Sequence, residues 1–475
     1  MDQKIKANKT MKYFVLVMFI SCCSMLNAQQ TTDSIMTLSE YLGFVKSFHP
    51  IVKQANLIVD EGELKLLKSR GAFDPKLEVD YDRKKFKNTE YYDKLNATFK
   101  IPTWYGVEFK GNFEENEGVY LNPEATIPEE GLYSVGVSID IARGLIMNER
   151  MSMLKQAKLF TQQAAMDRQL LVNDILYQAS VTYFNWLRAY NQKQVYQDFV
   201  ENANLRFEGV KKSYQVGERA AIDTTEARIA LNDRRLNYEK SRITYIKASL
   251  ELSNYLWLEN NIPIELQDNI IPDTNTLLNI DAVFSTSEFD LASFDIATHP
   301  KMLSLEYKYE GLNINRRLAA NNLLPKINLE YNFLSQTPEV INSFNTSNYK
   351  SGVNVSLPLF LRKERADLKL AKLKMLDTEF EIEATKVTLK NKISAINQEL
   401  SSFTVQNEYN TSIVSDYETL LSAEERKFFI GESSIFLVNS RESKLIDAKL
   451  KAIDLEYKFF ETKAKLFNIL AVLPI

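Results

Sequence analysis

The sequence predicts a mixed α/β protein in which long coiled-coil helical hairpins and amphipathic β-hairpins are each built twice. Three observations carry this prediction. The pair His49-Pro50 recurs as His299-Pro300, which indicates an internal duplication. Large apolar residues recur at every seventh position over long stretches, as in helices that pack as coiled coils. Shorter segments alternate apolar and polar residues, as strands do when their two faces meet different surroundings.

The first thirty residues are typical of an export signal. Lysines precede the apolar run 13–20, and Ala28 precedes Gln29 at a suitable cleavage point, so we predict a signal peptide of residues 1–28. The apolar run is shorter than the ~20 residues that a membrane-spanning helix needs. Both cysteines, Cys22 and Cys23, fall inside this signal, and cleavage would leave no thiol. Lipid attachment at Cys22 is the alternative.

Composition excludes several function classes. A net charge of −4 over 475 residues gives no sign of a nucleic-acid partner. The chain has only 2 histidines and 2 cysteines, and it lacks a glycine-rich phosphate loop and a nucleophile elbow. We therefore expect no enzyme, no cofactor and no metal site.

The duplication sets the predicted domain boundaries. Further repeated pairs are Pro75-Lys76 with Pro325-Lys326, Val137-Ser138 with Val355-Ser356, and Val216-Gly217-Glu218 with Ile430-Gly431-Glu432. The separation falls from 250 residues at the first pairs to 218 at Val137, so the first copy holds 32 extra residues, placed within 90–131. We predict a first copy at 29–260, a linker at 261–288 and a second copy at 289–475.

Each copy is predicted to open with helices on either side of a His-Pro pair. These are 38–47 and 51–70 in the first copy, and 291–297 and 302–320 in the second. Proline is favoured at the first helical position. We therefore interpret His49 and His299 as helix-boundary residues without a catalytic or metal-binding role.

Strands follow at 77–82, 133–141, 327–333 and 353–359. Their alternation gives one apolar and one polar face, and about ten such residues cross a bilayer when tilted; a soluble sandwich shares the pattern. The insertion alternates at 95–101 and 107–113, which predicts an extra β-hairpin that either crowns the sheet or adds strands to it. Residues 114–130 are predicted as an acidic outer loop.

The longest helices come last in each copy. We predict 151–214 with 222–258, and 366–429 with 435–470, joined at Gly217 and Gly431. The seven-residue spacing is carried by Ile222, Ile229, Leu236, Ile243, Leu250 and Trp257 in the first copy, and by Val438, Leu445, Ala452, Phe459 and Leu466 in the second, where Leu389, Ile393, Ile396, Leu400 and Phe403 form a further seam. Because open sheet edges are not tolerated in lipid, several copies would have to share one barrel, continued by a tube of helices.

In these features the chain resembles the TolC family of outer-membrane channels used in multidrug efflux and type I secretion. The resemblance rests on the two His-Pro helix openings, on 71–75 and 321–325 leading into strands, on 355–360 and on the two glycine turns. It implies a homotrimer with two strand hairpins per protomer in a twelve-stranded barrel, continued by an α-helical periplasmic tunnel. It also implies a place in the outer membrane of a Gram-negative bacterium. The implied partners are outer-membrane lipid, a periplasmic adaptor (membrane fusion) protein and an inner-membrane RND or ABC transporter.

The resemblance places a gate at the two helical tips. The candidate residues are Gly217, Glu218, Arg219 and Asp223 in the first tip, and Phe428, Gly431, Glu432 and Ser433 in the second. Asp223 stands where the family has a constriction acid, whereas the second tip has Leu437 and Ser440 at the matching places. Phe428 and Ser433 replace a Tyr and an Arg that lock such tips, so Glu218, Arg219 and Glu432 are candidates for substitute contacts. Charges beside a glycine turn are also often simply solvated.

The implied function is an exit duct of a tripartite efflux pump or type I secretion system. The alternative is a structural or adhesive coiled-coil protein of the envelope that forms no pore. This alternative explains the heptads but leaves the duplicated amphipathic strands unexplained.

Overall fold

The computed structural model describes residues 34–284, 294–337 and 345–471. The predicted signal peptide, its cleavage point at Ala28 and Gln29, and Cys22 lie outside the described residues. The α-helices are α1 (Leu38–Phe48), α2 (Pro50–Arg70), α3 (Glu149–Gln215), α4 (Ala221–Ser253), α5 (Thr276–Val283), α6 (Pro300–Asn321), α7 (Arg362–Phe429) and α8 (Ile435–Leu470). The strands are β1 (Ser34–Met36), β2 (Lys76–Phe86), β3 (Thr89–Pro102), β4 (Val107–Glu117), β5 (Leu132–Asp140), β6 (Trp257–Leu258), β7 (Ile262–Pro263), β8 (Ile270–Pro272), β9 (Lys326–Ser335) and β10 (Tyr349–Ser356). Short 3₁₀ turns lie at Gly71–Phe73, Pro123–Ala125, Glu259–Asn261 and Ile296–Thr298.

The mixed architecture of long helical hairpins and amphipathic strands is confirmed. Within the described ranges, no helix is both long and apolar enough to cross a membrane. The domain boundaries drawn from the repeat stay a prediction.

Both histidines begin helices, as predicted. His49 Nδ1 accepts a hydrogen bond from the Ile51 N–H at 3.3 Å, and His299 Nδ1 accepts one from the Lys301 N–H at 3.0 Å. Because Nδ1 of His299 is an acceptor, its Nε2 carries the proton and donates to the Ile469 carbonyl at 2.9 Å. Each imidazole therefore satisfies an N–H group that the first helical turn leaves unpaired.

The predicted helix 291–297 is wrong in its described part. Residues Ile296–Thr298 form a single 3₁₀ turn, and the Asp295 side chain caps it by accepting a hydrogen bond from the Ala297 N–H at 2.9 Å. Pro300 forces His299 into an extended conformation, which leaves room for only one turn after the cap.

The main core lies where the short helices meet α3 and α8. Fully buried aromatic side chains from α1, α3 and α8 meet there: Tyr41, Tyr183, Phe184, Trp186, Phe460 and Phe467. The predicted linker adds Ile280 and Phe284 to this core, and its strand β8 pairs with β1 in parallel. The described part of the linker is therefore a packed element and not a plain spacer.

The predicted seam of the first copy does not face the rest of the chain. Its five helical members, Ile222 to Leu250, are between 44% and 69% exposed. The face of α4 that packs inside the chain instead carries small and apolar residues, including Ala227, Leu231, Ala248 and Leu252. Helix α4 also ends at Ser253, so Trp257 lies in β6 and not on the helix. In the second copy, Val438 and Leu445 are buried as predicted.

The insertion adds strands to the sheet. One six-stranded sheet has the order β10-β9-β5-β4-β3-β2, with every neighbouring pair antiparallel. The prediction of two or more β-hairpins holds, and the predicted extra hairpin is the one that exceeds the two implied by the resemblance, because β3 and β4 lie between β2 and β5. Residues 114–117 belong to β4 and not to the predicted loop. Strand β10 ends at Ser356 and leaves Leu357 and Leu359 outside it, because Pro358 follows and cannot donate to a ladder.

The sheet has an apolar and a polar face over most of its length, and Asp93 and Glu115 lie on the apolar face at its outer end. The register places Leu77, Phe99, Val135, Phe333 and Tyr349 in one row of the apolar face, across five of the six strands. The polar face is concave and encloses about 360 Å³ between strands β3 to β10. Several apolar-face side chains are largely exposed, among them Leu77, Val79 and Val353. Exposed apolar surface of this extent indicates contact with lipid or another chain.

Candidate gate at the helical tips

The two long hairpins end in turns of the same geometry. Gly217 and Gly431 have φ of +83° and +84°, a region in which glycine lacks the steric penalty of other residues. The N–H of Glu218 donates to the Ser213 carbonyl, and that of Glu432 donates to the Lys427 carbonyl, both at 2.9 Å. This hydrogen bond closes the C-terminus of a helix in a Schellman turn. The sequence match of the two tips therefore reflects one shared backbone structure.

Arg219 joins the two tips. Its guanidinium donates to the Phe428 carbonyl at 2.9 Å, and lies 4.3 Å from the centre of the Phe428 ring. The carbonyl belongs to the last turn of α7, where a cation is favoured by the helix dipole. Phe428 is buried beneath the contact. Glu218, Arg219 and Glu432 were the candidates to replace the missing lock between the tips. Of these three, Arg219 makes a contact between the tips.

The other candidates have more local surroundings. Ser433 donates to the Glu424 carboxylate within its own hairpin, and Glu424 also lies 3.9 Å from Arg441. The side chains of Glu218 and Glu432 are exposed. A groove of about 590 Å³ runs between the hairpins beside Glu218, Arg219 and Phe428.

Asp223 has an acidic neighbour that the sequence reading missed. Both Asp223 and Glu226 lie in the first turns of α4, three positions apart on one helix face. Partial burial, and secondly the charge of Asp223, raise the pKa of Glu226. The three-residue spacing of Asp223 and Glu226 is the sequence signal that could have indicated this pair. The two carboxyl groups form an acidic pair just above the tip turn.

A buried ion network lies deeper between the hairpins. Glu442 of α8 is fully buried and accepts from Arg206 of α3 at 2.5 Å and from Arg234 of α4 at 3.1 Å. Arg206 also pairs with Glu425 at 3.0 Å, and Arg234 pairs with Asp233 at 2.8 Å. The network therefore connects all four long helices. Sequence reasoning overlooked Glu442, although an acid between Val438 and Leu445 on a heptad face signals a buried charge.

In the described part of the chain, no group of three or more His, Cys, Asp or Glu residues is arranged to hold a metal ion.

Comparisons with known proteins agree with this architecture. Residues 295–472 match the family model described as outer membrane efflux protein. Searching the curated proteins gives no significant match.

Several solved structures share the fold. The CmeC outer membrane channel of Campylobacter jejuni has a TM-score of 0.63 and 14% identity, with 94% of this chain and 90% of that chain covered. The outer membrane protein VceC of Vibrio cholerae has a TM-score of 0.62 and 12% identity, with 91% and 96% covered. The MtrE outer membrane channel of Neisseria gonorrhoeae, in its open state, has a TM-score of 0.62 and 12% identity, with 94% and 93% covered.

Proposed function

We propose that this chain, whose residues 295–472 match the family model described as outer membrane efflux protein, is the exit duct of a tripartite efflux pump or type I secretion system. It resides in the outer membrane and extends into the periplasm. The observation that carries the proposal is a sheet with an exposed apolar face and a concave polar face, joined to helices as long as the 68 residues of α7. At about 1.5 Å per residue α7 measures roughly 100 Å, far longer than one membrane is thick.

Assembly as a homotrimer is part of the proposal. The exposed seam of α4, from Ile222 to Leu250, repeats every seven residues, and its members stay between 44% and 69% exposed among the residues that the structure describes. A heptad seam is suited to a neighbouring helix, which a second copy supplies. Three copies then enclose one bore, with the polar sheet faces towards water and the apolar faces towards lipid.

The tips act as the gate in this proposal. The Arg219–Phe428 contact holds the two hairpins of one protomer together, in place of the polar lock that Phe428 and Ser433 cannot form. Asp223 and Glu226 supply negative charge near the mouth. A periplasmic adaptor and an inner-membrane RND or ABC transporter are the partners that would open it.

Single-channel recording in planar bilayers tests the function. The purified protein is expected to give discrete current steps, and Arg219→Ala is expected to increase them because the tip contact is lost. Arg242→Ala is the matched control, since that arginine pairs with Glu239 of its own helix on the exposed surface of α4. A trimer that gives no current with either variant would favour a structural or adhesive envelope protein instead.

A further inference from the structure

We infer that β3 and β4 are wall strands of the membrane barrel, so that three copies close a barrel of eighteen strands and not twelve. This inference rests on the proposed trimeric channel and concerns the insertion within 90–131. The rival placement puts the hairpin above the membrane as a crown on a narrower barrel. Four observations favour the wall.

The hairpin continues both faces of the sheet. On the apolar side, Phe99 lies opposite Leu77, and Phe109 lies opposite Val137. On the polar side, one row runs through Lys76, Lys100, Lys110, Gly136, Asn332 and Lys350, across all six strands. A crown has water on both sides and would not need this alternation.

On the polar face, lysines of the hairpin form ion pairs with glutamates of other strands of the sheet. Lys100 of β3 pairs with Glu78 of β2. Lys110 of β4 reaches over β5 to Glu330 of β9, with Nζ and Oε1 3.2 Å apart. Gly136 is the register partner of Lys110 on β5, and a Cβ built there would overlap the Tyr331 carbonyl oxygen of β9. Glycine at this position therefore permits the close approach of β5 and β9 beside the Lys110–Glu330 pair.

The hairpin is long enough to cross the membrane. Strands β3 and β4 have 14 and 11 residues, against 9 in β5 and 8 in β10. Stacked rings of Phe73 and Trp104 mark its helical end, and Tyr91 and Tyr120 pack together near the other end. On the apolar face the uncharged stretch of β3 runs from Leu95 to Ile101, because Asp93, and Glu115 opposite Leu95, lie on that face beyond it. Both strands are still as long as the roughly 9–11 residues of a tilted spanning strand, with these charges at the outer end.

The two edges of the sheet are open and complementary. Every residue of β2 and of β10 is exposed, although both strands carry large apolar side chains. The two strands run in opposite directions, and Lys76 of β2 and Ser356 of β10 both lie at the helical end. Strand β2 of one copy can therefore pair antiparallel with β10 of the next, which brings Val79 opposite Val353 and leaves no edge in lipid.

The added strands widen the barrel. With strands about 4.8 Å apart and tilted by about 40°, eighteen strands give a backbone diameter of about 36 Å, against about 24 Å for twelve. The outer end of the duct would then be wider than a four-stranded protomer allows.

Cysteine labelling tests the placement. Residues 34–471 contain no cysteine, so Thr98→Cys and Asn112→Cys can report the polar face, and Phe99→Cys and Phe109→Cys the apolar face. In intact membranes a water-soluble maleimide is expected to label the first pair and spare the second until detergent is added. Equal labelling of all four would overturn the wall placement. Formation of a trimer and of a pore would be unaffected by that outcome, so failure of the inference is distinct from failure of the channel proposal.

Cross-linking and a size limit add independent tests. Val79→Cys combined with Val353→Cys is expected to form disulfide-linked dimers and trimers.

Deletion of residues 89–117 keeps β2 antiparallel to β5 and should leave a twelve-stranded barrel. Maleimides on polyethylene glycol chains of increasing size, added from outside, should reach Asn354→Cys in the full chain at sizes that the deletion excludes. An identical size limit would contradict the wider barrel; if the deletion does not assemble, the labelling pattern in the full chain still decides.

Discussion

Glu442 offers the sharpest test of how the two hairpins of a protomer are held together. Substitution by Gln keeps the shape of the side chain and removes its charge, so that Arg206 and Arg234 lose a shared, fully buried carboxylate. Removing one partner of a buried ion pair costs about 3–5 kcal/mol. Because each arginine keeps a second carboxylate, Glu425 or Asp233, we expect the lower end, about 3 kcal/mol.

Hydrogen exchange measures this cost locally. Amides of α8 around the substituted residue exchange through opening of the hairpin packing, and a loss of about 3 kcal/mol should accelerate them about 150-fold. Glu239→Gln is the matched control, since its partner Arg242 lies on the exposed surface of α4. An exposed pair contributes about 0–1 kcal/mol, so the control should change exchange less than about fivefold.

A third variant separates lost charge from lost packing. Replacing Arg206 and Arg234 by Met together with Glu442→Leu removes the three buried members of the network and leaves the more exposed Glu425 and Asp233 in place. Such replacements of buried ion networks are often neutral or stabilising. We expect exchange close to that of the unchanged protein. If Glu442→Gln behaves like the exposed control, the network does not hold the hairpins and the reasoning is refuted.

Three further predictions concern other parts of the chain. Leu236→Glu should dissociate the trimer by placing a carboxylate in the exposed α4 seam, whereas Lys240→Glu on the same helix should not; equal trimer fractions in native mass spectra would remove the seam from the interface. Burial lowers the pKa of His299 in the folded protein, so the fold favours the neutral imidazole. The contribution of this neutral imidazole to the free energy of unfolding is complete above about pH 6.5, and it is lost as the pH falls through the lowered pKa. The drop in unfolding temperature between pH 7.5 and 5.5 should therefore shrink in His299→Asn, whose amide still caps the helix, and an unchanged drop would assign the pH dependence to other groups. Gly431→Ala should destabilise the second tip by about 1 kcal/mol, because its φ is +84°, and unaltered exchange of the amides around 432 would show that the turn tolerates the substitution.

The elements that could be predicted from sequence are those with a strong local signal. The His-Pro pairs predicted two helix starts because proline fixes its own φ and restricts the residue before it. The glycine turns predicted both tips because only a residue that tolerates positive φ closes such a helix end. Strand alternation predicted which residues share a face, including those of the inserted hairpin.

Relations between distant elements could not be predicted in this way. The heptad at Ile222 indicated that a seam exists, but periodicity does not state whether its partner belongs to the same chain. The place of β3 and β4 in the sheet depends on pairing with strands far apart in sequence, which alternation alone leaves open. Arg206, Arg234 and Glu442 come from three helices, so their meeting point depends on helix packing that no local pattern encodes.

Native mass spectrometry of the detergent-extracted protein tests the shared bore most directly. Particles of three chains are expected, because the open edges of β2 and β10 and the exposed α4 seam need neighbouring copies to cover them. A stable, folded single chain with both sheet edges protected from hydrogen exchange would contradict the shared bore.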